Sequence, residues 1–310
     1  MGKVVVIGSL SYDCLAVVPE FPRPGQTVAV GEVEFRLGGT GGVQALAAAA
    51  QGAEVALIGC VGEDSAGDAY CAFLDRRGID TAGVVTRAEA VTGTGLVVLR
   101  ERDGVHATVA GACANARLDE TEVRTEAVRL RIARSRVVLG QLGYVLAPLT
   151  AVLEQGRMMG SAACLNARPW ADGFPWGGAD LDFVIAGPDE ARAMLGRSIY
   201  SLADADWVAS ALQERRVETL ILQVEAAEAW VFSGNGGAQA MRAEVEAAPP
   251  VDTTGMEDAF AGAFAARWSE ARDFTAAVKA ALVAGQLCAA GRGGMESLPD
   301  RAAVDAVIGA

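Results

Sequence analysis

Short β-branched runs alternate with alanine-rich stretches from one end of this chain to the other, and no other feature restricts its fold so tightly. An apolar run at 4–7 is followed by a helical pattern at 42–51, a second run at 55–58 and a second helical pattern at 66–77. The rhythm resumes with runs at 137–139, 163–166, 183–186 and 220–224, interleaved with helical patterns near 149–159 and 188–195. Two longer helical stretches, near 258–270 and 275–290, follow. Strands alternating with helices build a parallel sheet covered on both faces. The expectation is an α/β fold with a doubly wound, mostly parallel sheet flanked by helices.

Two segments break the rhythm. Residues 15–18 with 27–36, and 94–100 with 105–110, have the alternation and turn residues of antiparallel strands, and Arg102-Asp103-Gly104 is a good hairpin turn between the last two. They predict a small antiparallel β lid, inserted at about 12–36 and 93–112. With 310 residues, 52% of them hydrophobic, the chain can bury a large core. No composition shift or proline-rich linker divides it, so a single domain over 1–310 is expected.

Charge narrows the function. The chain carries 26 basic and 39 acidic side chains, a formal net charge of -13. Such a surface repels nucleic-acid backbones and anionic lipid, so neither is expected as a partner. The apolar run after Lys3 is too short for a signal segment, and no stretch approaches the roughly 18 apolar residues of a membrane span; a cytoplasmic protein is expected. Six cysteines (Cys14, Cys60, Cys71, Cys113, Cys164, Cys288) form no C-x-x-C pair, which argues against a zinc site or a disulfide framework. The lone histidine, His106, lies between polar neighbours where an exposed structural role is expected, which removes histidine triads. Trp170 and Trp176, in the loop at 169–178, are expected to pin that loop onto the core.

The most informative stretch is P-P-V-D-T-T-G-M-E-D-A-F-A-G-A-F at 249–264, where a turn leads into an apolar helix. Amides at a helix start attract anions, and Asp258 in the first turn is a carboxylate poised to take a proton. This stretch resembles the D-T-x-G-A-G-D signature of the ribokinase-like, or PfkB, family of sugar and nucleoside kinases, matched by Asp252, Thr253, Gly255 and Asp258. The resemblance extends along the chain. Gly8 to Asp13 with P-R-P-G-Q-T at 22–27 is similar to the family's first strand and lid entry, and G-G-T-G-G-V at 38–43 to its G-G-x-x-x-N substrate loop. V-G-E-D-S-A-G at 61–67, L-N-A-R at 165–168 and G-R-G-G-M-E-S-L-P at 291–299 resemble further family motifs in the expected order.

The resemblance implies a ribokinase-like fold, ATP and Mg2+ as cofactors with a monovalent cation as an optional addition, and a homodimer clasped through the lid. It implies Asp258 as general base, with the backbone of Gly255, Met256 and Glu257 as anion hole. Asp13, Gly38, Gly39, Val43, Asn166 and Arg168 would hold a small-molecule acceptor. Glu190 would position the metal, and Gln223, Glu225, Glu228, Asp252 and Thr254 would line the nucleotide end.

The departures are equally specific. Glu257 stands where the family has glycine, Glu225 and Glu228 replace two glycines of T-x-G-x-x-G, Val43 replaces an asparagine, and Cys164 replaces the first acid of D-x-N-x-R. Like charges about 4–6 Å apart cost on the order of 1 to 4 kcal/mol at an effective dielectric near 20. Two functions therefore follow: an ATP-dependent kinase acting on a hydroxyl of a sugar or nucleoside-like molecule, or a repurposed enzyme or pseudokinase that keeps the acceptor pocket and Asp258 and has lost ATP use.

Overall fold

In β1 (Lys3–Ile7), Val4 and Val6 pack on one face of a sheet and Val5 and Ile7 on the other, because successive strand side chains point to opposite faces. Repeated over neighbouring strands, this alternation divides the core into two apolar layers, one on each face. The computed structural model describes residues 2–243 and 249–309.

The remaining strands are β2 (Ser11–Val18), β3 (Val33–Gly38), β4 (Glu54–Gly62), β5 (Asp80–Arg87), β6 (Thr94–Arg100), β7 (His106–Gly111), β8 (Val137–Gln141), β9 (Ala162–Asn166), β10 (Leu181–Ala186), β11 (Val217–Glu225), β12 (Glu228–Ser233) and β13 (Ala238–Arg242). The helices are α1 (Thr40–Ala50), α2 (Ser65–Arg76), α3 (Glu120–Val123), α4 (Glu126–Arg134), α5 (Leu146–Met158), α6 (Pro188–Leu195), α7 (Ala205–Glu214), α8 (Met256–Ala271), α9 (Phe274–Ala290) and α10 (Arg301–Ile308).

Nine strands form the main sheet in the order β13-β12-β11-β10-β9-β8-β1-β4-β5. All pairings from β5 to β11 are parallel, and β12 and β13 add an antiparallel edge. Helices α1, α2, α8 and α9 supply one core layer, and α4 to α7 the other. This is the doubly wound α/β architecture expected from the alternation.

The chain leaves β1 for β4 on one side, while β8 lies on the other. Such a reversal opens a crevice at the carboxyl ends of the strands. The lid covers it: β3-β2-β6-β7 form a four-stranded sheet in which β3/β2 and β6/β7 are antiparallel and β2/β6, joined by a long crossover, is parallel. The strand expected over 27–36 begins only at Val33, because the β2 partner of β3 runs from Ser11 opposite Gly38 to Ala16 opposite Val33. The hairpin turn at 102–104 joins β6 to β7 as expected. Trp170 and Trp176 stack with ring centroids 6.2 Å apart, Phe174 meets Trp176 edge-on at 4.7 Å, and the group packs on the core.

Candidate active site

A cavity of about 580 Å³ lies between the carboxyl ends of the central strands and the lid. Asp13, Gly39, Val43, Gln141, Arg168, Glu190, Thr254, Gly255, Glu257 and Asp258 all line it, so residues spread over most of the chain meet at one place.

Two helix starts shape its floor. Gly39 caps α1 with φ 86°, and Gly255 caps α8 with φ 79°, a left-handed conformation that a side chain disfavours. First-turn amides have no intrahelical acceptor, so those of Glu257 and Asp258 stand at the positive end of α8. Asp252, fully buried, braces the turn: its carboxylate accepts from the amides of Thr254 and Gly293, both at 2.9 Å. The Thr254 hydroxyl is buried without a partner among the described residues.

Asp258 faces the cavity from the first turn of α8. Burial pushes its carboxyl up to about 8; the Gln44 hydrogen bond and Arg168 pull it down, and Glu257 pushes it further up. Asp13 projects from β2, and its Oδ1 accepts the Gly95 amide at 2.6 Å. Burial raises its carboxyl above the usual range despite hydrogen bonds from Ser11 and Gly95.

Glu257 is paired with Arg168, and the Arg168 Nε donates to Glu190 Oε2 at 2.9 Å. Glu190 also accepts the Gly187 amide at 3.1 Å, which holds it at the start of α6. Burial works against the Arg168 charge, but the two carboxylates outweigh it and hold the guanidinium above its ordinary value. Arg168 balances one of the two carboxylates, so the three side chains carry a single excess negative charge.

The structure does not bring every expected residue to the cavity. Asn166 is buried at the end of β9, where its Oδ1 accepts the Arg168 amide at 3.2 Å; it supports the wall rather than lining it. Gln223, Glu225 and Glu228 lie on the β11/β12 hairpin, outside this cavity. Glu225 is exposed, and Glu228 accepts from Arg242 at 2.7 Å and from Trp230 at 2.8 Å, so its charge is already matched. Of the three acids expected at the nucleotide end, only Glu257 faces the cavity.

Several contributors carry no sequence signal. Gln44 donates to Asp258, and Gln141, at the end of β8, donates to Ser9 at 2.8 Å and lines the cavity. His106, expected to be exposed, is half-buried, and its Nδ1 meets the Thr253 hydroxyl at 3.1 Å. That hydroxyl and the Thr253 amide both donate to the Gly104 carbonyl at 2.9 Å, so the lid hairpin is docked on the turn before α8. Among the described residues no group of three or more His, Cys, Asp and Glu side chains could hold a metal ion, all six cysteines are free, and no helix is long and apolar enough to cross a membrane.

Known proteins resemble this chain along nearly its whole length. A ribokinase of Haemophilus influenzae is 28% identical over 298 residues, covering 96% of this chain and 95% of that protein. A deoxyribokinase of Salmonella typhi is 25% identical over 303 residues, covering 96% and 95%. The structure of Arabidopsis thaliana ribokinase complexed with ribose and ATP superposes with a TM-score of 0.85 at 22% identity, covering 99% of each chain. The family model described as pfkB family carbohydrate kinase matches residues 1–301, and the chain belongs to that family.

Proposed function

We propose that this protein transfers a phosphoryl group from ATP to a hydroxyl of a sugar or sugar-like small molecule, with Asp258 as general base. The observation that carries this reading is that Asp258 faces, from the first turn of α8, the same cavity as Asp13 and Gly39. A polyphosphate fits the residues present: first-turn amides of α8 and the unpartnered Thr254 hydroxyl supply donors, and Arg168 offsets the charge of Glu257 beside them. ATP would supply the transferred phosphoryl and its leaving group. Mg2+, which is held by one or two carboxylates plus phosphates, would draw on Glu190.

The protein's own part is positional and acid–base. Asp13 and the backbone around Gly39 orient the acceptor, and ionised Asp258 takes the hydroxyl proton as its oxygen forms the new bond to phosphorus. The amides of Gly255 and Glu257 would meet the charge that develops on the transferred group, whereas the Met256 amide, expected beside them, is already donated to the Thr253 carbonyl at 3.3 Å and Met256 does not line the cavity. Closure of the lid over the cavity keeps water from competing as acceptor. The alternative, an enzyme or binding protein that has lost ATP use, gains nothing from the acidic substitutions, since Glu228 is paired with Arg242 and Glu257 with Arg168.

The lid supports a further element of the proposal, a homodimer. On its outer face Phe35, Cys14, Leu96 and Val109 stand in register across all four strands, and Phe35, Leu96 and Val109 are exposed. A continuous apolar row of this kind is best covered by a second copy.

The test is calorimetric titration with ATP and Mg2+, followed by phosphorylation assays with ribose and deoxyribose. Binding and transfer are expected. A protein that shows neither heat nor thermal stabilisation with nucleotide contradicts the kinase reading.

A further inference from the structure

The carboxyl of Asp258 is held from the opposite helix. Gln44, on α1, is fully buried, and its Nε2 donates to Asp258 Oδ1 at 3.0 Å. The contact depends on how closely α1 and α8 approach. Gly262 lies one turn beyond Asp258 on the same face of α8, and a Cβ placed there would fall 2.5 Å from the Gln44 carbonyl oxygen and 2.6 Å from the Ala47 Cβ. The glycine permits the approach, and the approach sets the reach of Gln44.

The other amide atom, Gln44 Oε1, is buried without a hydrogen-bond partner among the described residues. An ionised carboxylate only accepts, and so takes the Nε2 hydrogen; a protonated one gains a donor, which a turned amide could receive on Oε1. In the orientation seen, with Nε2 toward Asp258, Gln44 holds the ionised form, and receiving the protonated one requires the amide to turn. Val43, the neighbouring residue, lines the cavity, so α1 carries the acceptor wall and the support of Asp258 together.

We propose that Gln44 is a positioning residue that orients the Asp258 carboxylate and keeps its ionised form available. This inference rests on the reading of Asp258 as the base. Other groups also face Asp258: Glu257 on its own helix, Arg168 after β9, Tyr70 of α2 and Cys288 of α9. Arg168 favours the ionised form and Glu257 opposes it, whereas Gln44 contributes a direct hydrogen bond.

The test uses the full chain labelled with 13C at aspartate carboxyl carbons. The Asp258 signal is assigned by its loss in Asp258→Asn, and its titration is followed in Gln44→Met and Gln44→Glu. Gln44→Met keeps side-chain length and removes the amide; Gln44→Glu keeps the shape and adds a second acid should the first variant fail to fold. Loss of one hydrogen bond to a charged group should raise the Asp258 midpoint by about 1 to 2 pH units, a fall of roughly ten- to a hundredfold in the ionised fraction at neutral pH. The acid limb of kcat should move with it while KM for the acceptor stays put. An unchanged midpoint in both variants overturns the proposal. A raised midpoint alongside a fully active Asp258→Asn would leave Gln44 as the partner of Asp258 and sink the base reading instead.

Discussion

Arg168 is paired with Glu257 across the floor of the cavity, which joins the loop after β9 to the first turn of α8. The acidic side chain in the first turn of α8 is thus paired within the protein, and Glu190 shares the same guanidinium. Replacing Arg168 with glutamine should leave two carboxylates facing the incoming polyphosphate. Calorimetry should read a loss of ATP affinity of about tenfold or more, because each exposed like-charge contact costs on the order of 1 kcal/mol or above. Glu257→Gly in the Arg168→Gln background should recover part of it.

The pH dependence of stability follows from the Asp258 carboxyl at about 8, against an ordinary value of 3.8. Between those values the folded state holds a proton that the unfolded chain has released, so stability should fall as pH rises from about 4 to 8 and level off above. Thermal melts across this window check the sign. Asp258→Asn should flatten the slope and melt higher than the parent at pH 8.

Turnover should run the opposite way. A base at about 8 is mostly protonated near neutrality. The value of kcat/KM should therefore rise close to tenfold per pH unit and reach a plateau above about pH 8. A flat profile from pH 6 to 9 would assign proton transfer elsewhere.

Docking of the lid rests on Thr253, whose hydroxyl and amide both meet Gly104. Thr253→Val removes the hydroxyl and leaves the Nδ1 of His106 without its partner. It should cost about 1 kcal/mol in denaturant melts and raise KM for the acceptor more than it lowers kcat.

The apolar row on the outer lid face predicts the assembly. Leu96→Glu places a charge in the middle of that row. Light scattering should read a dimer for the parent and a monomer for the variant. A parent that is already monomeric at micromolar concentration would remove the dimer proposal.

The parts of this fold that are local in sequence were legible from the chain. Strand–helix alternation, the hairpin turn at 102–104 and the turn from Asp252 into α8 each depend on neighbouring residues, so pattern and turn chemistry were enough. Pairings across the fold were not. Gln44 and Asp258 are 214 residues apart, and only the packing of α1 on α8 joins them. Arg168 and Glu257 meet because β9 ends and α8 begins at the same crevice, and neither residue type announces the other. Motif position says nothing of charge matching: Glu225 and Glu228 occupy matched positions in sequence, and the β11/β12 hairpin holds them outside the cavity and gives Glu228 to Arg242. His106 lacked any signal, since its role depends on where the lid hairpin comes to rest.

The most direct measurement is phosphoryl transfer by Asp258→Asn, assayed with ATP, Mg2+ and the acceptor that the parent uses best. Loss of the general base should lower kcat by about 100- to 10,000-fold, with binding of ATP and acceptor retained in calorimetry. A variant that turns over within about threefold of the parent, too small a loss for a general base, would contradict the assignment of Asp258 and the mechanism built on it.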